Sequence, residues 1–76
     1  MFKDLVEHIV KSLVDYPDRV TVKEVEGSSA VILELSVAES DMGRVIGKGG
    51  RVVNAIRILL QALAAKQGKR VTLEIV

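Results

Sequence analysis

In this 76-residue chain, the run Gly47-Lys48-Gly49-Gly50-Arg51 has residue types and spacing suited to a defined chemical task. Glycine lacks the Cβ atom that keeps another backbone at a distance, so three glycines in four positions open a path for a sugar-phosphate chain. A helix starting at Gly50-Arg51 directs unpaired N–H groups at an anion, and Lys48 and Arg51 add mobile positive charge. Arg44 lies one turn earlier, and between Gly43 and Arg57 there are four basic residues and no acidic one. Ile46 and Val53 flank the loop as apolar surfaces for bases, or simply for the core. This set suits a single strand with phosphates along the loop and bases turned into a shallow groove.

Other chemistries fit the residues less well. A Walker A loop needs four residues between its first glycine and Gly-Lys, whereas only three separate Gly43 from Gly47, and Gly49 replaces the magnesium-binding hydroxyl. A dinucleotide fingerprint starting at Gly47 requires glycine where Val52 stands, and must follow a strand. His8 is the single histidine and there is no cysteine, so neither a metal site nor a nucleophile-base pair is expected. The pairs Asp15/Asp18 and Glu24/Glu26 have no base or nucleophile arranged near them and read as solvating charge. The expectation is a non-enzymatic protein without cofactor or metal.

The elements that must position the loop follow from apolar spacing. Phe2, Leu5, Val6, Ile9, Val10, Leu13 and Val14 share one face of a helix that Pro17 ends. Residues 19 to 26 alternate as a strand, then shift phase at Val25, which predicts a bulge. Gly27-Ser28-Ser29 forms a turn into a second strand with Val31, Leu33, Leu35 and Val37 on one side, giving an antiparallel hairpin. Ser40 is the expected N-cap of a short helix to Ile46, with Asp41 at its positive end. After the glycine loop, Val52, Val53, Ile56, Leu59, Leu60, Leu63 and Ala64 predict a core-facing helix that Gly68 terminates. Val71, Leu73 and Ile75 alternate in a third strand. The order α-β-β-α-α-β with a right-handed crossover predicts an α/β (α+β) domain: a three-stranded mixed sheet covered on one face by three helices.

The whole-chain charge of +1 conceals strong polarity. Residues 1 to 42 hold four basic against nine acidic side chains, a net of −5, while residues 43 to 76 hold seven against one, a net of +6. Such asymmetry is expected of a polyanion-binding face. Arg57 is placed equally well for solvation or for a phosphate. Lys66, Lys69 and Arg70 gather at a helix end where positive charge is favourable and read as structural. A domain of this length buries only about 60% of its unfolded surface, so a partner would help. Asn54, Ala55, Ile58, Gln61, Ala62 and Ala65 form a strip on the last helix outside its core set, an expected homodimer interface. With no membrane-length apolar run and no amino-terminal signal pattern, a cytoplasmic location is expected.

The loop and its surroundings resemble a known family. Ile46-Gly47-Lys48-Gly49-Gly50 matches the I-G-x-x-G signature of the KH domain at every fixed position, and the element order resembles the type II, bacterial arrangement. With all of residues 1–76 forming one such unit and the loop at 47–50, the chain is most similar to the bacterial KhpA family. The resemblance implies single-stranded RNA binding, with the loop clamping about four nucleotides. It also implies an RNA chaperone or post-transcriptional regulator linked to cell elongation and division. Self-association and pairing with a KhpB-type KH protein are implied too. By position, Gly47 and Gly50 become the fixed loop glycines, Lys48 and Gly49 the variable pair, and Ile46 the flanking apolar residue. The alternative expectation is a protein-interaction module that dimerises with itself or another KH protein, RNA binding being secondary.

Overall fold

The computed structural model describes residues 1–76. Its order is α1 (Phe2–Leu13), β1 (Thr21–Glu26), β2 (Ala30–Ser36), α2 (Met42–Ile46), α3 (Arg51–Ala65) and β3 (Arg70–Ile75). Short 3-10 turns at Pro17–Arg19, Glu39–Asp41 and Lys48–Gly50 join them. The sheet order is β1-β2-β3, antiparallel between β1 and β2 and parallel between β2 and β3. Since β2 returns to β3 through α2 and α3, the glycine loop lies within the crossover of a parallel pair.

Alternation decides which side of the sheet is covered. Val22, Val31, Leu33, Leu35, Val71 and Leu73 all point to the helical side and are buried. α1 packs over β1 and brings Phe2, Val6 and Val10; α3 packs over β3 and brings Val53, Ile56, Leu60 and Ala64. The short α2 lies against both α1 and α3 and contributes Val45. Fully burying one of these aliphatic side chains contributes about 1.5–3 kcal/mol, so the shared core is what holds α2 and its glycine loop in place.

The ends of α1 and α3 follow local chemistry. Glu24 on the covered face of β1 accepts a hydrogen bond from the Lys3 N–H at 3.1 Å, satisfying a free amide in the first turn of α1. At the end of α3, Gly68 takes φ +68°, while the Lys69 and Gly68 amides donate to the Ala64 and Ala65 carbonyls. That double closure turns the chain into β3.

Several sequence expectations change. β1 has no bulge: its ladder to β2 is continuous from Thr21 to Glu26, and Val25 lies on the uncovered face at 50% exposure. Residues Pro17–Arg19 form a turn outside the strand, because proline fixes φ and starts a helical turn readily. Ser40 does not cap α2, whose N-cap is Asp41 without a side-chain hydrogen bond to the helix. The Asp41 carboxylate instead turns inward and accepts the backbone N–H groups of Asp15 at 3.0 Å and Tyr16 at 3.1 Å. It is the one buried charged residue, and these two bonds tie the segment after α1 to the start of α2. On α3, Leu59 and Leu63 are exposed rather than buried, because the sheet meets the helix along Val53, Ile56, Leu60 and Ala64.

Candidate nucleic-acid interface

The loop is shaped by the backbone that glycine permits. α2 closes with the Gly47 N–H donating to the Gly43 carbonyl at 2.9 Å, and Gly47 then leaves at φ 76°, ψ 169°. A Cβ at Gly47 would stand 2.6 Å from Val52 Cγ2 and 2.8 Å from the Val52 nitrogen, so this glycine is required by the protein's own packing. Gly49 and Gly50 also adopt positive φ, 66° and 79°, but a Cβ at Gly49 would meet nothing within 4 Å. The two positions therefore differ: Gly47 lets α3 start beside α2, while Gly49 keeps an open outer surface.

Three basic side chains surround this turn. Arg44, Lys48 and Arg51 are exposed, as is Gly49, while Ile46, Gly47 and Gly50 are half-buried. Arg44 makes an exposed ion pair with Asp15 at 3.5 Å. Lys48 and Arg51 have no such partner. No side chain caps the amino end of α3, whose N-cap is Gly50 in the left-handed conformation. The Gly50 and Arg51 amides are bonded within the turn, to the Gly47 and Lys48 carbonyls, so the loop offers the positive end of a 15-residue helix beside two cations without an ion pair.

The flanking residues sort differently from one another. Ile46 keeps part of its side chain at the surface, while Val53 is only 4% exposed and belongs to the core. Val53 thus anchors α3 and presents no face for a base. Arg57 does something neither expectation described: its Nε and Nη2 donate to the Leu73 carbonyl at 3.3 and 3.0 Å. β3 is an edge strand, and Arg57 occupies one of its outward-facing acceptors.

Beyond Arg57 runs an open trough between α3 and β3, which the sequence reading anticipated only as a shallow groove. It consists of two adjoining cavities of about 490 and 460 Å³ that share Gln61, Val71 and Thr72. Arg57 and Glu74 line one end, Lys69 and Arg70 the other. Since Arg57 meets Leu73 and Ala64 meets Lys69, α3 and β3 run in opposite directions, and the Glu74 end is the one nearer the glycine loop.

The strip expected on α3 is also exposed: Asn54, Ala55, Gln61, Ala62 and Ala65 face solvent, and Ile58 is 66% exposed. Leu59 and Leu63 add to it, so the uncovered side of α3 is more apolar than the spacing indicated. No helix is long and apolar enough to cross a membrane.

A family model described as KhpA/KhpB, KH domain, matches residues 3–75. The chain is 57% identical to the RNA-binding protein KhpA of Clostridium acetobutylicum over 97% of this chain and 99% of that one. It is 49% identical to the RNA-binding protein KhpA of Chlamydia pneumoniae, over 96% and 94% of the two chains. Among solved structures, Era of Aquifex aeolicus superimposes with a TM-score of 0.69 at 22% identity, over 97% of this chain and 29% of that one. A structure of Era in complex with a nucleotide and a 16S ribosomal RNA segment gives 0.60 at 24% identity, covering 97% and 28%. These last likenesses concern the fold: this chain spans less than a third of either one.

Proposed function

The chain belongs to the KhpA/KhpB KH-domain family, and from that premise we propose that it binds single-stranded RNA, without catalysis, through the loop at residues 47–50. The observation that carries the reading is the outer face of this loop, where positive-φ Gly49 is open and Lys48 and Arg51 are unpaired beside an uncapped helix start. An RNA backbone approaching Gly49 meets no side chain, and its phosphates meet the helix dipole and two cations together. Arg44 contributes a third charge once it exchanges Asp15 for a phosphate. Ile46 supplies apolar surface beside the loop, and the trough between α3 and β3 receives the bases. In this reading the protein is an RNA chaperone or post-transcriptional regulator, as its family resemblance implies; the connection to cell elongation and division rests on that resemblance alone.

Salt dependence tests the electrostatic part. Two to three phosphates neutralised on a single strand give a log affinity that falls with log salt at a slope of about −1.4 to −2.1. Fluorescence anisotropy with a short labelled RNA measures this slope directly. Absence of binding at low salt, or an affinity indifferent to salt, would contradict the reading.

A second reading draws on the uncovered side of α3. Ile58, Leu59 and Leu63 at 66%, 55% and 39% exposure, with Ala55 and Ala62 between them, make a helix face apolar enough to pack on another helix. Homodimerisation through it, or pairing with a KhpB-type KH protein through the same face, leaves the loop free. The two readings are compatible, and a dimer presents two loops to one RNA.

A further inference from the structure

We propose that Asp15 is a built-in competitor of the RNA: its carboxylate occupies the Arg44 guanidinium in the free protein, must be displaced by a phosphate when RNA binds, and so weakens the hold of the loop. The proposal rests on the RNA reading of the loop and adds to it a residue that acts against binding. Between Gly43 and Arg57 the sequence has no acidic side chain, yet the fold supplies one. Asp15 Oδ2 stands 3.5 Å from Arg44 Nη2, while Lys48 and Arg51 have no acidic partner. Of the three cations around the loop, only Arg44 is met by an anion of the protein itself.

Two ties hold this contact in place. The Asp15 N–H donates at 3.0 Å to one oxygen of the buried Asp41 carboxylate, and the Tyr16 N–H donates at 3.1 Å to the other. Arg44 lies three residues after Asp41, one helical turn further on. Asp15 is therefore fixed through its backbone to the start of α2 and through its side chain to the end of the same short helix. With the backbone already held, forming the ion pair costs only side-chain rotation. Both side chains remain well exposed, 60% for Arg44 and 64% for Asp15, so the pair is weak enough for a phosphate to replace. A carboxylate and a phosphodiester each carry one negative charge. What Arg44 gains on the RNA it thus gives up on Asp15, and the freed carboxylate stays beside the incoming phosphate as a like charge.

The test is a double-mutant cycle on the parent, Asp15→Asn, Arg44→Gln and the two combined, read by the anisotropy of a short labelled single-stranded RNA at low salt. Asp15→Asn keeps the backbone N–H that Asp41 holds, so urea unfolding should find it nearly as stable as the parent. The proposal predicts that Asp15→Asn binds the RNA about two- to five-fold more tightly, the size of one exposed ion pair. The same change should bring little gain once Arg44 is replaced by glutamine. Asp18→Asn removes a charge that has no ion pair and should leave the affinity nearly as it is. If the parent binds and Asp15→Asn binds no more tightly, or gains as much in the Arg44→Gln protein, or is matched by Asp18→Asn, the competitor is wrong while the loop reading stands. If neither the parent nor Asp15→Asn binds the RNA, the loop reading and the competitor fail together.

Discussion

At Gly47 and Gly49 the same residue type answers to different constraints, and substitutions separate them. Gly47→Ala places a methyl against Val52 at a φ that side chains rarely adopt, so it should destabilise the fold by about 1–3 kcal/mol, measured by urea unfolding. Gly49→Ala meets no neighbour and should cost about 1 kcal/mol or less from φ alone, its larger effect being on RNA. Asp41 makes the converse case, a polar residue whose value lies in folding. Asp41→Ala leaves the buried-side amides of Asp15 and Tyr16 without their acceptor and should lower stability by about 2–4 kcal/mol, with Asp41→Asn intermediate. The loop was legible in the sequence because its conformation follows from consecutive glycines and its charges are neighbours. The roles of Asp41 and Arg57 were not, because their partners lie 26 and 16 residues away and exist only after the elements pack.

Among the elements, α3 and β3 depend on each other most visibly. Arg57 bonds the Leu73 carbonyl on the open edge of the sheet through two donors in one fork. A lysine there can make only one such contact, so Arg57→Lys should destabilise by about 1 kcal/mol in urea unfolding. The turn from α3 to β3 is tied to β1 by Lys69 and Glu26; the hydrogen bond from Lys69, and then its charge, hold the Glu26 carboxyl below its ordinary value. A lowered carboxylate contributes stability above its unfolded pKa and loses it as pH falls through the folded one. Glu26→Gln should therefore flatten a small part of the acid limb in a thermal-unfolding series from pH 7 to pH 3. The element order and the mixed sheet were readable from period-2 and period-3.6 spacing. The orientation of α3 was not, because apolar residues occur around most of its circumference and periodicity alone does not choose which stripe meets the sheet. Leu59 and Leu63 were assigned to the core for that reason, and the phase change at Val25 suggested a bulge where the strand instead places one apolar residue on its open face.

For the whole molecule, the near-zero net charge conceals how the protein addresses its ligand. The basic excess after Met42 falls around the loop and along the trough, while the acidic segments form α1, the hairpin and their connections. An RNA is thereby offered one favourable approach. The exposed strip on α3 borders the trough through Gln61 and Ala65, and if the chain self-associates through Ile58, Ile58→Asp should leave it monomeric in sedimentation equilibrium with the loop still free to bind RNA. The most direct test of the central claim is the affinity of a short single-stranded RNA for the parent and for Lys48→Asp with Gly49→Asp. Lys48 is exposed and Gly49 has space for a side chain, so circular dichroism should find both proteins folded. The account predicts that the parent binds and the double variant, with two carboxylates facing the phosphates, does not. Equal binding by two folded proteins would contradict it.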